Sequence, residues 1–296
     1  MSNKRLEGKT IVIVGGTTGL GLSAAKAIIC EGGRVVVVGR NKESAMQAEV
    51  DLLALSHEQG NDYDARTVHC ISATAVVGDA MDVETTRRAI AEAVRIGGQL
   101  NGLYHVAGGS GRRYGDGALH EVTDDGIDFT LGLNLKSMII SNREAVIQFR
   151  KQGGCGAIVN MGSVLGYSPS AKYFATHVYA ATKSAIIGFT KSIAAYYAGE
   201  DIRCNVIAPA LVETPMAKRA AEDDVIIDFI KSKQPLDGGR IGLASDLDEA
   251  VVFMLSDGAK YMTGQVIAID GGWSVSEGQI PQRVMAVDEK GVCCEK

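Results

Sequence analysis

The stretch Thr10-Ile-Val-Ile-Val14-Gly-Gly-Thr-Thr-Gly19-Leu-Gly21 decides the fold. It begins with a continuous β-branched run, which is typical of a strand buried on both faces. A glycine-rich turn follows, and residues 22–29 then show the apolar periodicity of a helix. Such a turn lets the backbone approach a phosphate, which the free N–H groups and the dipole at the helix N-terminus attract. This order of strand, turn and helix predicts a dinucleotide fold.

The glycine spacing is G-x-x-x-G-x-G, which differs from the G-x-G-x-x-G fingerprint. It is not a P-loop either, because no Gly-Lys-Ser/Thr follows. A turn that serves only packing is the alternative, and the flanking strand and helix disfavour it. The residues of this turn that we assign to cofactor binding are Gly15, Thr17, Thr18, Gly19, Leu20 and Gly21.

Beyond this turn, apolar strands and amphipathic helices alternate along most of the chain. Parallel strands need crossover helices, and those crossovers are right-handed. The pattern predicts an α/β, doubly wound Rossmann fold with a seven-stranded parallel sheet flanked by helices, as a single domain over residues 1–296. The predicted strands are 10–14, 34–38, 75–77, 103–107, 157–160, 202–208 and 265–269. The predicted helices are 22–29, 42–56, 83–96, 123–149, 178–198 and 245–255.

Composition excludes several classes of partner. The chain has 35 acidic and 30 basic residues, a net charge of −5, so we expect no nucleic-acid partner. No apolar run is long enough to span a bilayer and the N-terminus has no signal-peptide pattern, so we expect no membrane partner and a cytoplasmic location. The six cysteines form no C-x-x-C pair and the five histidines no H-E-x-x-H pattern. We therefore expect neither a disulfide scaffold nor a metal site.

Three segments are longer than simple connections, namely residues 57–72, 108–117 and 212–240. Long loops at the carboxyl edge of a parallel sheet commonly contact substrate. We expect residues 212–240 to form a lid, and we note five glycines and two arginines within 108–117. The C-terminal tail, 275–296, shows no strong pattern.

The second predicted strand ends in Val38-Gly39-Arg40. In a dinucleotide fold, an acidic residue here accepts hydrogen bonds from a free ribose 2′-hydroxyl, whereas an arginine pairs with a 2′-phosphate. Gly39 has no carboxylate and Arg40 has a guanidinium, which favours NADP(H) as the cofactor and leaves NAD(H) possible. A solvated surface arginine is the alternative interpretation.

Ser163 follows the predicted strand 157–160, and Tyr179 and Lys183 share one face of the next predicted helix. A free tyrosine has a pKa of about 10, too high for easy proton transfer at neutral pH. A nearby lysine cation favours the phenolate and lowers the pKa of the tyrosine, which can then exchange a proton with a carbonyl oxygen. A serine hydroxyl at the same oxygen would orient it. These residues predict acid–base catalysis at a carbonyl or alcohol.

The chain resembles the classical short-chain dehydrogenase/reductase family over about residues 6–274. In chain order, the matching residues are Asp79 in G-D-A, Asn134 in L-N-L-K, Ser163 in N-M-G-S and Tyr179-Ala-Ala-Thr-Lys183 as the Y-x-x-x-K motif. The later matching segments are 202–214, Gly239-Arg-Ile-Gly242, Tyr261-Met-Thr-Gly264 and Asp270-Gly-Gly272.

This resemblance implies a role for each matched residue. Tyr179 would be the general acid in reduction, Lys183 would lower its pKa and hold the nicotinamide ribose, and Ser163 would orient the substrate carbonyl. Asn134 would hold a water that links Lys183 to solvent. The other cofactor-binding residues that the family pattern implies are Asp79, Ala80, Ala107, Gly108, Pro209, Val212 and Thr214.

Two departures from the family pattern fall on neighbouring central strands. Val14 stands where the family usually has threonine, and the family's N-N-A-G reads His105-Val106-Ala107-Gly108. We expect valine packing between these strands in place of a polar contact. We also expect His105 to be a hydrogen-bonded core residue rather than a catalytic group.

The function predicted from the sequence is NADP(H)-dependent hydride transfer between nicotinamide and a carbonyl or secondary alcohol of a small-molecule substrate. A 3-oxoacyl thioester is the first substrate hypothesis, and a polyol, sugar or steroid is the alternative. A non-catalytic nucleotide-binding scaffold is a hypothesis of another class, which the presence of Tyr179 and Lys183 disfavours. The family commonly assembles through the helices that bear Asn134 and Tyr179, so we expect a homotetramer or homodimer.

Overall fold

The computed structural model describes residues 4–60, 72–214 and 217–279. Its strands form one seven-stranded, all-parallel sheet in the order β3-β2-β1-β4-β5-β6-β7. The chain order reverses between β1 and β4, which opens a crevice at the carboxyl ends of these strands. The predicted doubly wound sheet is confirmed. The strands are β1 Thr10–Val14, β2 Arg34–Gly39, β3 Ala73–Val77, β4 Gly102–His105, β5 Gly156–Met161, β6 Ile202–Pro209 and β7 Val266–Ile269.

Helices connect the strands as crossovers. They are α1 Gly19–Cys30, α2 Lys42–Glu58, α3 Val83–Gly97, α4 Asp124–Leu131, α5 Ser137–Lys151, α6 His177–Tyr197, α7 Lys218–Ala221, α8 Asp224–Lys233 and α9 Asp248–Leu255. The helix predicted over 123–149 is divided, because a π-helical turn, Gly132–Lys136, separates α4 from α5. The helix predicted over 245–255 begins instead with a 3-10 turn, Ala244–Leu247.

The β-branched residues of β1 alternate between two buried layers. Ile11 and Ile13 pack on the side of α1, α2 and α9, whereas Val12 and Val14 pack on the side of α3 and α5. The valine packing expected between β1 and β4 does not join Val14 to Val106, because Val106 lies against the first layer and Val14 in the second. The cross-strand partner of Val14 is His105. Strand β4 also ends at His105, two residues earlier than predicted, where Val106 N and Ala107 N both donate to Val14 O.

The long segments flank the crevice. Residues 108–117 include a 3-10 turn, Gly111–Tyr114, and residues 212–240 contain α7 and α8. Ile226 and Ile230 of α8 are buried in a small cluster with Trp273, which is 1% exposed. Most of the predicted insertion at 57–72 and of the tail at 275–296 lies outside the described residues.

None of the helices in the described ranges is long and apolar enough to cross a membrane. Within the same ranges, no three His, Cys, Asp or Glu side chains gather as metal ligands would.

Candidate active site

A cleft of about 790 Å³ lies at the carboxyl ends of the central strands. It is bordered by the turn after β1, the ends of β2 and β3, the segments after β4 and β5, the start of α6 and the segment after β6. All but two of the predicted site residues line it. Those that do are Gly15, Thr17, Thr18, Gly19, Leu20, Arg40, Asp79, Ala80, Ala107, Gly108, Ser163, Tyr179, Lys183, Pro209, Val212 and Thr214.

Gly21, one of the two exceptions, does not line the cleft. A Cβ at this position would lie 2.1 Å from Gly15 O, so the missing side chain lets α1 pack against the turn. Gly15 does line the cleft, and its φ of +89° together with a Cβ position 2.6 Å from Ala107 N requires glycine there. Gly21 therefore shapes the phosphate turn rather than contacting the cleft.

The end of the cleft at which the sequence predicts the adenosine to bind is shaped by Gly39, Arg40 and Thr17. A Cβ on Gly39 would lie 2.2 Å from Thr17 Oγ1, so Thr17 fills the space that an acidic side chain would need. Arg40 is exposed and lines the cleft beside Asp79, whose Oδ1 accepts a hydrogen bond from Met81 N at 2.8 Å. This end of the cleft thus presents a guanidinium where a ribose-binding carboxylate would otherwise stand.

The opposite end brings Ser163, Tyr179 and Lys183 together. Ser163 follows β5, and its Oγ accepts a hydrogen bond from Leu165 N at 3.2 Å. Tyr179 and Lys183 lie one turn apart on α6. Lys183 Nζ donates to Met161 O at 2.8 Å and lies 5.4 Å from the centroid of the Tyr179 ring.

The electrostatics of these residues differ from the expectation. Burial raises the pKa of Tyr179 above its usual value, and a hydrogen bond with Ser163 acts in the opposite direction. Lys183 is 2% exposed, and desolvation lowers its pKa to about 7. The prediction that Lys183 lowers the pKa of Tyr179 is therefore wrong. Both groups are desolvated together, and the lysine tends to lose its own proton. At neutral pH the tyrosine is protonated, as a proton donor must be.

Asn134 is the second residue that does not line the cleft. It lies in the π-helical turn, fully buried, and its Oδ1 accepts from Gly109 N at 2.9 Å. Its Nδ2 donates to Gly109 O at 2.9 Å and to Thr130 O at 3.0 Å. A Cβ on Gly108 would lie 2.8 Å from Asn134 Oδ1 and 3.5 Å from Lys183 Nζ, so these two polar atoms flank Gly108. The Asn134 side chain thus holds the segment after β4 beside Lys183.

His105 is a core residue, as expected. It is fully buried, its Nε2 donates to Ala107 O at 3.1 Å, and its Nδ1 accepts from Ser141 Oγ at 2.7 Å. The carbonyl acceptor requires the proton on Nε2. Desolvation, aided by the nearby Lys183, lowers the pKa of His105 to about 3. The neutral ring therefore anchors the turn at Ala107, which lines the cleft.

Asp116 is a polar residue at the site that sequence reasoning missed. It is 2% exposed, and its carboxylate accepts hydrogen bonds from Val178 N at 3.1 Å and from Tyr179 N at 2.9 Å. These N–H groups belong to the first turn of α6, whose N-cap residue Thr176 makes no side-chain capping bond. More than sixty residues separate Asp116 from α6, so no local capping pattern indicates the contact.

Aromatic side chains also line the cleft, and the sequence did not single them out. Tyr114 stacks on Phe129 with ring centroids 3.6 Å apart, and Phe174 meets Trp273 edge to face at 5.8 Å. Phe174 belongs to the long stretch between Ser163 and Tyr179. The cleft therefore combines the polar cluster of Ser163, Tyr179 and Lys183 with an apolar lining that includes aromatic rings.

A parallel sheet of this order, with a glycine turn at β1 and serine, tyrosine and lysine at the carboxyl edge, defines a class of nicotinamide-dinucleotide oxidoreductases. The family model described as enoyl-(acyl carrier protein) reductase matches residues 14–274. The chain belongs to the short-chain dehydrogenase/reductase family. It is accordingly an enzyme of alcohols and carbonyls that uses NAD(P).

Individual relatives cover nearly the same length. The chain is 30% identical over 272 residues to a 7alpha-hydroxysteroid dehydrogenase of Bacteroides fragilis, covering 92% of this chain and 96% of that protein. It is 31% identical over 264 residues to a 3-oxoacyl-(acyl-carrier-protein) reductase of Bos taurus, covering 89% and 97%. A solved short-chain type dehydrogenase/reductase from Mycobacterium ulcerans superposes with a TM-score of 0.81 at 26% identity, covering 92% of this chain and 91% of that one.

Proposed function

We propose that this chain is an NADP(H)-dependent oxidoreductase that interconverts a ketone and a secondary alcohol in the cleft. The observation that carries the proposal is the convergence of Ser163, Tyr179 and Lys183 in one cleft with the glycine turn. The cleft volume of about 790 Å³ and the backbone approach at Gly15 fit a dinucleotide and a small substrate. When bound, the nicotinamide supplies or accepts the hydride.

The chain's own residues would handle the proton and the carbonyl oxygen. The Tyr179 hydroxyl donates a proton to the developing alkoxide, since its raised pKa keeps it protonated at neutral pH. The Ser163 hydroxyl, which acts to lower the pKa of Tyr179, orients the same oxygen. Lys183, fixed by Met161 O, contributes positive charge near the tyrosine when it is protonated. Asn134 holds the Gly108–Gly109 backbone that borders these groups.

The preference for NADP(H) is supported by the adenosine end of the cleft. Thr17 occupies the space beside Gly39. An acidic side chain at position 39 would therefore clash with Thr17, in addition to being absent from the sequence. Among the residues that the structure describes, no carboxylate pairs with the Arg40 side chain, which leaves the guanidinium available for a 2′-phosphate. Guanidinium and phosphate form strong, often bidentate hydrogen bonds.

Titration of cofactor fluorescence tests this preference. We expect NADPH to bind at least about tenfold more tightly than NADH, and Arg40→Ala to remove most of that difference, because a hydrogen bond to a charged group contributes roughly 1.5–3 kcal/mol. Arg95→Ala is the control, since Arg95 pairs with Glu92 on the outer face of α3 and does not line the cleft. Equal binding of the two cofactors by the parent chain would contradict the proposal.

The apolar lining of the cleft favours a substrate with an apolar body. Tyr114, Phe129 and Phe174 present rings to the cleft, against which a polyol or sugar would bury little apolar surface. A 3-oxoacyl thioester or a steroid would bury apolar surface against them. The relatives include a steroid dehydrogenase and a 3-oxoacyl reductase as well as a galactitol dehydrogenase, so the choice rests on the cleft and not on the relatives. We therefore retain the 3-oxoacyl thioester as the first substrate hypothesis and the steroid as the second.

We further propose a homotetramer in the cytoplasm. Helix α5 exposes Ile139 and Ile147, and a groove of about 430 Å³ between α5 and α6 is lined by apolar and arginine side chains. Exposed apolar helix faces of this kind are typical of interfaces between copies. The cysteines that the structure describes, Cys30, Cys155 and Cys204, are free thiols, as a reducing compartment favours.

A further inference from the structure

The charges that line the cleft are strongly asymmetric. Among its described lining residues Asp79 is the only carboxylate, and it lies at the adenosine end. The basic lining residues are Arg40, Arg112, Arg113, Lys183 and Arg219. The proposed function uses Arg40 for the cofactor and Lys183 for the reaction. Three arginines therefore remain without a role.

These three arginines belong to two segments that border the substrate side. Arg112 and Arg113 lie in the 3-10 turn after β4, next to the stacked pair of Tyr114 and Phe129. Arg219 lies on α7, in the segment after β6. Within the described parts of the chain, no salt bridge or side-chain hydrogen bond engages any of the three guanidiniums.

Unpaired guanidiniums at a cleft have a definite electrostatic consequence. The three arginines are exposed at the cleft, and the low dielectric constant of the apolar lining beside them strengthens their attraction for a bound anion. The planar fork of donors in arginine matches carboxylate and phosphate oxygens in particular. The chain as a whole is acidic, with a net charge of −5, so the positive cleft is not a consequence of overall composition.

We propose that Arg112, Arg113 and Arg219 bind an anionic group, a carboxylate or a phosphate, on the substrate. This inference rests on the proposed function and specifies its substrate class as a ketone or secondary alcohol that joins an apolar body to an anionic end. The aromatic side chains hold the body, and the arginines hold the anion beyond it.

Binding of matched probes to the enzyme saturated with NADPH tests the proposal without requiring turnover. The probes are 2-naphthoate, 2-naphthyl phosphate and the neutral 2-naphthamide, followed through the fluorescence of the bound cofactor. We expect either or both anions to bind at least tenfold more tightly than the amide, with an affinity that falls as salt is added. Tighter binding of the phosphate would identify a phosphate-bearing substrate, and tighter binding of the naphthoate a carboxylic acid.

Substitution of the three arginines tests whether they are the groups that bind the anion. The triple variant Arg112→Gln/Arg113→Gln/Arg219→Gln should bind the preferred anion at least tenfold more weakly and the amide within twofold, whereas the surface control Arg95→Gln should match the parent. Equal affinity of the parent for anion and amide, including no binding of either, would overturn the proposal. A loss of NADPH affinity with no loss of anion affinity would also overturn it. An enzyme that binds NADPH and the anion but reduces no ketone would contradict the proposed function alone.

A second inference rests on a different observation, the buried carboxylate of Asp116. It accepts hydrogen bonds from the N–H groups of Val178 and Tyr179, and Gly117 O lies 3.4 Å from His177 N. The segment after β4 therefore caps the helix that carries the tyrosine, in place of a local N-cap side chain. We infer that Asp116 is a positioning residue that sets the orientation of Tyr179.

Asp116→Asn tests this role, because an amide presents only one oxygen to the two N–H donors. We expect kcat for ketone reduction to fall at least tenfold, with KM and the Kd of NADPH within threefold. Thr123→Ala is the matched control, since Thr123 Oγ1 accepts from Gly126 N and donates to Tyr114 O in the neighbouring turn, and neither partner belongs to α6. It should lower stability and leave kcat within twofold.

Two outcomes would overturn the positioning role. One is a kcat of Asp116→Asn within twofold of the parent, and the other is an equal loss of kcat in Thr123→Ala. If the asparagine variant does not fold, Asp116→Ser retains one acceptor in a smaller side chain, and the same separation of kcat from KM is expected.

Discussion

Tyr179→Phe is expected to lower kcat for ketone reduction by about a thousandfold or more, while NADPH affinity stays within about twofold. The substitution removes one hydroxyl and leaves the ring on α6 in place. General acid–base catalysis by a positioned side chain contributes roughly 10²–10⁴-fold, and Tyr179 is the group that we propose to donate the proton. Steady-state reduction with NADPH, together with fluorescence titration of the cofactor, measures both quantities.

Tyr196→Phe provides the matched control for this prediction. Tyr196 lies on the same helix and is 77% exposed, far from the cleft lining, so the same loss of a hydroxyl should leave kcat unchanged. A Tyr179→Phe enzyme that retains more than a tenth of the parent kcat would show that another group donates the proton.

Lys183→Met is expected to make the cofactor-free protein more stable at pH 7, by about 3 kcal/mol, while it abolishes activity. Desolvation lowers the pKa of Lys183 from 10.5 to about 7. A tenfold change in a proton-binding constant corresponds to about 1.4 kcal/mol. Burial of Lys183 therefore lowers the folding stability of the parent by roughly 4–5 kcal/mol at pH 7. The variant also loses the hydrogen bond from Lys183 Nζ to Met161 O, which costs about 1 kcal/mol, so the net gain in stability is smaller than the penalty that is removed. Methionine fills a similar volume without a charge.

The pH dependence of this gain has a definite sign. Between about pH 7 and 10.5 the unfolded lysine is protonated and the folded one is not, so the stability of the parent rises with pH across this window. Below about pH 7 both states are protonated and the penalty is constant. The stabilisation by Lys183→Met should therefore be largest at or below pH 7 and vanish before pH 10.5, because the lost hydrogen bond to Met161 O costs about 1 kcal/mol throughout.

Urea denaturation at a series of pH values checks this prediction. Lys191→Met, at an exposed position of the same helix, is the control and should change stability little at any pH. A Lys183→Met variant that is less stable than the parent at pH 7, or whose advantage grows with pH, would contradict the prediction. If Lys183→Met is more stable than the parent, Lys183 lowers the stability of the folded protein, as is expected for a residue that serves activity.

The local sequence contains most of the information on which segments form the strands and the long helices. The five adjacent β-branched residues of β1 and the four adjacent valines of β2 cannot be stable unless both faces are covered, so helices must alternate with these strands. The same order of strands and helices predicts where the motif residues lie. Ser163 comes just after a central strand, and Tyr179 and Lys183 lie in the first turns of the following helix. Periodicity and motif spacing are properties of neighbours in the chain, which is why they can be read without a structure.

The tertiary structure alone decided which side chains meet. Asp116 reaches Tyr179 N across more than sixty residues, and Thr17 fills the space beside Gly39 from another element. Valine packing was expected between β1 and β4, but Val14 and Val106 face opposite layers, because side chains on a strand alternate and the two positions are out of phase. The pKa of Lys183 likewise depends on the burial created by elements distant in sequence. The sequence by itself determined the order of elements and the reacting groups, whereas contacts, burial and the charge around the cleft depend on long-range packing.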